Sequence, residues 1–146
     1  MVAGLHFESL TALPEDIEAL CGLSEAEGFR FLRRLIEDWQ LGHNRFNLEG
    51  EVLMGGFVDD ALVAIGGINC DCDDDQLGRL RRVFVHPDYR HTGVGRALVL
   101  LLEERARQSF KRLVLFTDRP DAAKFYESMG YQAVQGHPQR SHVKRF

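Results

Sequence analysis

Residues 80–107, LRRVFVHPDYRHTGVGRALVLLLEERAR, most restrict how this chain can fold. Residues 80–85 are β-branched and aromatic, and Pro87 with Asp88 ends the run, so it reads as a buried strand. The turn Arg90-His91-Thr92-Gly93-Val94-Gly95 follows. Beyond it Val94, Ala97, Leu98, Leu101 and Leu102 fall on one face at helical spacing, and Thr92 is placed to cap that helix. After Phe110, LVLFT reads as another strand. A strand, a crossover helix and a strand in that order make a parallel, right-handed unit.

The turn also points to a ligand. Two glycines let the backbone come close to a bound group and turn N–H groups outward. At the positive end of a helix those N–H groups suit an anion such as a pyrophosphate, and Arg90 and Arg96 add charge beside them. Two familiar phosphate motifs fail. The dinucleotide fingerprint needs a third glycine where Leu98 stands, and the P-loop's Gly-Lys-Ser/Thr is absent.

The pattern present is Arg-x-x-Gly-x-Gly, after a V-x-V-x-P strand end and upstream of Phe125-Tyr126-Glu127-Ser128-Met129-Gly130-Tyr131. This combination resembles the acyl-CoA-binding motif and the FYEKLGF signature of the GNAT superfamily of N-acetyltransferases. The resemblance implies acetyl-CoA as cosubstrate and an amine as acceptor. It implies that main-chain groups of Val83, Phe84 and Val85 hold the pantetheine and the acetyl carbonyl. Those of His91, Thr92, Gly93, Val94, Gly95 and Arg96 would hold the pyrophosphate, with Arg90 and Arg96 as candidate phosphate contacts. It implies that Tyr126 protonates the departing thiolate. The alternative for Val83, Phe84 and Val85 is plain core strand, and for Tyr126 a core aromatic. A tyrosine near pKa ~10 giving its proton to a thiolate near ~8.5 works against ~2 kcal/mol.

The rest of the chain supplies the frame. Residues 3–10 read as a first strand with Leu5 and Phe7 on one face. Leu13-Pro14-Glu15-Asp16 starts a short helix ending near Cys21-Gly22, and Ser24-x-x-Glu27 reads as a capping box opening a second helix through Trp39. Residues 52–58 and 62–68 form a hairpin about Asp59-Asp60. Gly55-Gly56 and Gly66-Gly67 within it suggest bulges or close backbone approach. Residues 69–78 read as an acidic connection. Arg119-Pro120-Asp121 starts a helix with Ala122, Phe125, Tyr126 and Met129 inward and Gly130 just past its end. Residues 131–134 and 141–146 are closing strands. The expected fold class is α/β (α+β), a mixed sheet of six or seven strands, antiparallel except for the central parallel pair, with about four helices. The resemblance adds that this pair splays apart to admit the pantetheine arm. One N-acetyltransferase domain over residues 1–146 is expected.

The base that frees the acceptor amine has no obvious holder. The strand over residues 80–85 and the residue before it offer Arg79, Arg81 and Arg82, and the next strand has no carboxylate. Glu49, Glu51, Asp118, His86 and His142 remain as candidates, directly or through water, and an amine of low pKa needs none. This departure from common forms of the family keeps open a non-catalytic acyl-CoA sensor or regulatory module. The family's Asn before the tyrosine helix is also replaced, by Arg119. Arg81 and Arg82, as strand neighbours, point to opposite faces, so one is inward and needs an anionic partner; a carboxylate-bearing substrate is one such partner. Phe29, Phe31, Trp39 and Phe46 read as core or pocket wall.

Composition bounds the remainder. A net charge of −4 implies no general affinity for nucleic acid or an anionic membrane, and no apolar run approaches a membrane span of ~20 residues. The start shows no basic-then-apolar leader, so the cytoplasm is the default. Cys70-x-Cys72 with Asp71, Asp73, Asp74 and Asp75 lacks a second ligand pair for zinc and the EF-hand spacing, so no metal is expected. As a solvated acidic loop beside an acceptor pocket it would favour cationic substrates. A small-molecule amine is the expected partner, with a protein terminus as the lesser choice, and the resemblance leaves a homodimer open.

Overall fold

Asp59 and Asp60 both adopt positive φ, 49° and 68°, and so turn the chain in the sense that matches strand twist. They join β2 (Val52–Val58) to β3 (Ala61–Asp71), with Val58 opposite Ala61. The computed structural model, which describes residues 2–71 and 74–146, builds a seven-stranded sheet around this hairpin. Ahead of it come β1 (Leu5–Ser9), α1 (Ile17–Ala26) and α2 (Phe31–Leu41). After it come β4 (Asp74–Val85), a 3₁₀ turn (Pro87–Tyr89), α3 (Val94–Arg107), β5 (Arg112–Leu115), α4 (Pro120–Ser128), β6 (Gln132–Ala133) and β7 (His142–Arg145). The order across the sheet is β1-β2-β3-β4-β5-β7-β6, and among the described strands only β4 and β5 run parallel. This is the expected mixed sheet, with four α-helices.

Each face of the sheet is covered by the stripe its helices supply. Val94, Leu98, Leu102 and Ala106 of α3 lie against Val63, Ile68 and Leu80. Leu20 of α1 and Leu32, Leu35 and Ile36 of α2 lie against Leu53, Ile65 and Phe84. The glycines of β3 are there for close approach. A Cβ on Gly66 would stand 3.0 Å from Val83 Cγ2, and one on Gly67 2.5 Å from the Phe46 ring.

Three expectations are corrected. The first helix does not end at Cys21-Gly22. It runs to Ala26, and Ser24 is buried inside it, its hydroxyl donating to the Cys21 carbonyl at 2.7 Å rather than capping anything. The break falls at Gly28, where φ is +89°, and α2 begins at Phe31. The "acidic connection" is largely strand: residues 69–71 belong to β3 and 74–78 to β4, while Cys72 and Asp73 lie outside the described residues. Asp71 is buried and paired with Arg79 (3.2 Å) and Arg140 (3.7 Å), so it is not a solvated draw for cations.

Two irregularities in β4 create the functional geometry. Parallel pairing with β5 lasts only from Leu77 opposite Arg112 to Arg79 opposite Val114. Residues 80–85 continue with β3 on one edge and no described strand on the other. Within that open half, Ile65 faces Phe84 and Gly67 faces Arg81, so Arg82 and Val83 share one partner, Gly66. This is a bulge, and its extra residue, Arg82, has φ +62°.

Candidate functional site

The open half of β4, the start of α3, the segment after β5 and the α2–β2 loop enclose a cleft of about 1680 Å³. His86 N–H donates to the Val63 carbonyl of β3 at 2.7 Å. In an antiparallel pair, alternate residues turn both main-chain groups toward the partner strand. Phe84 is therefore engaged by Ile65, while Val83 and Val85 present N–H and C=O to the cleft. Phe84 contributes its ring, which is buried under α1 and α2.

The turn after β4 is built as a main-chain cradle. Gly93 is the N-cap of α3 with φ +91°, and no side chain caps the helix. Thr92 fits a capping pattern, but its hydroxyl donates to the Tyr89 carbonyl of the 3₁₀ turn and Gly93 takes the cap position. The first-turn N–H groups of Val94, Gly95 and Arg96 have no intrahelical partner and form the positive end of the helix dipole. A Cβ on Gly93 would meet nothing within 4 Å, so the space over the turn is open. The Val94 side chain is fully buried, leaving only its backbone for a ligand. His91, Gly93, Gly95 and Arg96 line the cleft. These features fit a diphosphate.

Arg90 is committed elsewhere. Its guanidinium donates to Glu27 Oε1 at 2.7 Å and to the Val85 carbonyl at 3.2 Å, and lies 5.3 Å from the centre of the Phe84 ring. Across the gap, Arg119 stacks on Phe29 at 4.6 Å. The α1–α2 junction thus touches the segments that follow both diverging strands.

Tyr126 lies at the cleft on the inner face of α4, packed edge-on against Phe125 (5.1 Å) and Tyr131 (5.5 Å). It is buried, and that burial pushes its phenol well above the usual tyrosine range. Beneath it, Tyr131 donates to Glu103 Oε2 at 2.8 Å, and Lys144 donates to Glu103 Oε1 at 3.0 Å and to the Met129 carbonyl at 2.7 Å.

The candidate bases separate by position. Glu51 lines the cleft, but its Oε2 accepts from Asn69 Nδ2 and the Cys70 N–H at 3.0 and 2.8 Å. Asp118 lines the cleft. His142 is buried between Ser141 and Glu127, and neither it nor His86 nor Glu49 lines the cleft. Sequence reasoning missed Asp38, which does line it, 3.8 Å from Arg82 and 3.9 Å from His43. The signal was available: Asp38 falls three residues after buried Leu35, on the inner side of α2. The expectation for Arg81 and Arg82 is also corrected. The bulge cancels the alternation, and both guanidinium groups sit on the α2 side near Asp38. Among the described residues, no three His, Cys, Asp or Glu side chains are grouped to hold a metal.

Comparison with known proteins agrees with this fold. A provisionally assigned acetyltransferase from Exiguobacterium sp. 255-15 superposes with a TM-score of 0.88 at 26% identity, over 97% of this chain and 93% of that one. The PaiA N-acetyltransferase of Thermoplasma acidophilum, solved in complex with coenzyme A, superposes with a TM-score of 0.70 at 17% identity, over 97% and 99% of the two chains. The amino-acid acetyltransferase of Pasteurella multocida is 28% identical over 95 residues, which are 63% of this chain and 21% of that protein. The chain thus spans only about a fifth of that relative, and about a third of the Methanocaldococcus jannaschii N-acetyltransferase it also matches. The acetyltransferase (GNAT) domain profile matches residues 56–133, from β2 through α4 to β6, and the chain belongs to the GNAT acetyltransferase family.

Proposed function

We propose that this protein transfers the acetyl group of acetyl-CoA to a primary amine, by direct attack within a ternary complex. The observation that carries the reading is the open half of β4 leading into an uncapped, glycine-bearing helix start along one cleft. The cosubstrate supplies an activated acyl carbon on a good leaving group. Main-chain groups of Val83 and Val85 hold its arm and polarise its carbonyl, and the N–H groups at Gly93, Val94, Gly95 and Arg96 hold its diphosphate. Arg96, exposed at the cleft, adds charge there. The new C–N bond forms as the C–S bond breaks, and the proton lost by the acceptor nitrogen balances the one the thiolate regains.

Burial of Tyr126 makes outright proton donation harder than its ordinary pKa implies. Its role is accordingly a charge-assisted hydrogen bond to the sulfur as negative charge develops. Asp38 and Asp118, which line the cleft, are the candidates to accept the amine proton, directly or through water. Positioning supplies most of the rate.

The test is thiol release from acetyl-CoA over a panel of amines, beside calorimetric binding of acetyl-CoA. Saturable binding with amine-dependent release supports transfer. Binding with no turnover on any amine, and no effect of Tyr126→Phe, would leave the sensor reading in its place.

A further inference from the structure

The acceptor end of the cleft contains two guanidinium groups for which the fold provides no anionic hydrogen bond. Arg82 is nine-tenths buried, with a side-chain exposure of 10%, yet its Nε has no hydrogen-bond partner and its nearest carboxylate, Asp38, is 3.8 Å away. That distance exceeds a hydrogen bond. Arg81 stands beside it, half-buried, with no hydrogen bond or ion pair to any described residue. Two neighbouring charges are already matched. Arg79 is satisfied by Asp71 at 3.2 Å and by the Gln139 carbonyl at 2.7 Å, and Glu51 by Asn69 and Cys70. What remains is a pair of adjacent cations against one shared, half-exposed carboxylate.

Such an arrangement is costly unless an anion completes it. Taking a guanidinium out of water without hydrogen-bonding its donors is strongly unfavourable, and two neighbouring cations repel. Burial, and then Arg81's charge, push the Arg82 guanidinium down to about 10; burial also lowers Arg81. Arg82 is held there by a left-handed backbone at the bulge, a conformation that a non-glycine residue adopts at a cost. The pair lies one and two residues before Val83, on the strand that leads the thioester toward the acceptor. The planar donors of arginine match a carboxylate's two oxygens.

Resting on the transfer reading above, we propose that Arg81 and Arg82 form a carboxylate subsite, so that the acceptor is an amine that also bears a carboxylate. Asp38, on the same side of the cleft, faces the acceptor's amine. The acceptor is thereby recognised at both ends, and the cleft discriminates against polyamines and amino amides.

The experiment compares amino acids with their own amides and decarboxylated amines as acceptors in thiol release. Each amino acid is expected to exceed its amide by about tenfold or more in kcat/KM, mostly through KM. Arg81→Gln and Arg82→Asn, the latter chosen because Asn tolerates positive φ, should each remove that preference, seen as a fall in the acid-to-amide ratio of kcat/KM, with acetyl-CoA affinity kept. Preference for amides or polyamines overturns the subsite, as does a preference for acids that survives both substitutions in folded protein. Calorimetry of N-acetyl amino acids and N-acetyl amino amides with the CoA-loaded protein reads the same subsite without turnover. Acids that bind through Arg81 and Arg82 with no transfer to any amine would sink the transfer reading alone. Amides transferred as well as acids would sink the subsite alone. If Arg82→Asn does not fold, Arg81→Gln and the product-binding comparison still decide.

Discussion

Tyr126 and Arg82 put opposite demands on the same fold. Tyr126 is buried in a stack with Phe125 and Tyr131, so removing its hydroxyl leaves the packing intact. Tyr126→Phe should lower kcat about 100-fold with little change in acetyl-CoA affinity, measured by steady-state kinetics and calorimetry. Because burial raises its pKa, the phenol stays protonated through pH 9. The kcat profile should therefore rise with pH as the acceptor or its base loses a proton, with no alkaline fall from Tyr126 below pH 10. Arg82 instead combines a left-handed backbone with a buried cation. Arg82→Gly relieves both and should raise stability by about 1 kcal/mol in urea unfolding while impairing acceptor use, a site residue retained against stability.

At the scale of elements, the turn into α3 is the piece whose conformation most depends on one residue. Gly93→Ala meets no neighbour but must hold φ near +91°, so it should cost about 1 kcal/mol of stability and weaken acetyl-CoA binding, both measurable on the same preparation. This turn was legible in the sequence because its chemistry is local: two glycines, a preceding Pro and a helical stripe. The hairpin about Asp59-Asp60 and the β4–α3–β5 crossover were legible for the same reason. The α1–α2 boundary was misplaced because Ser24 satisfies a capping pattern while tertiary packing buries it inside a helix. The acidic stretch misled because Asp71 is neutralised by Arg79 and by Arg140, distant in sequence. The Arg82 bulge left no local mark, since it is set by where β3 and β4 must keep register on either side of Gly66.

For the whole molecule, the sheet is continuous but nearly parted. Three residue pairs join β4 to β5, and the Glu103 network ties α3 to β7 on the far side of that seam. Glu103→Ala takes the carboxylate from half-buried Lys144 and leaves the buried Tyr131 hydroxyl without its acceptor, and should destabilise the protein by about 3 kcal/mol in urea unfolding, far more than loss of an exposed pair such as Arg33 with Glu18. The seam itself makes occupancy visible without knowledge of the acceptor. On the open rim of β4, strand alternation turns the backbone protons of Val83 and Val85 away from β3, whereas that of His86 is tied to Val63. In deuterated buffer those two should be lost early from the empty protein and retained far longer once a nucleotide thioester lies along the rim.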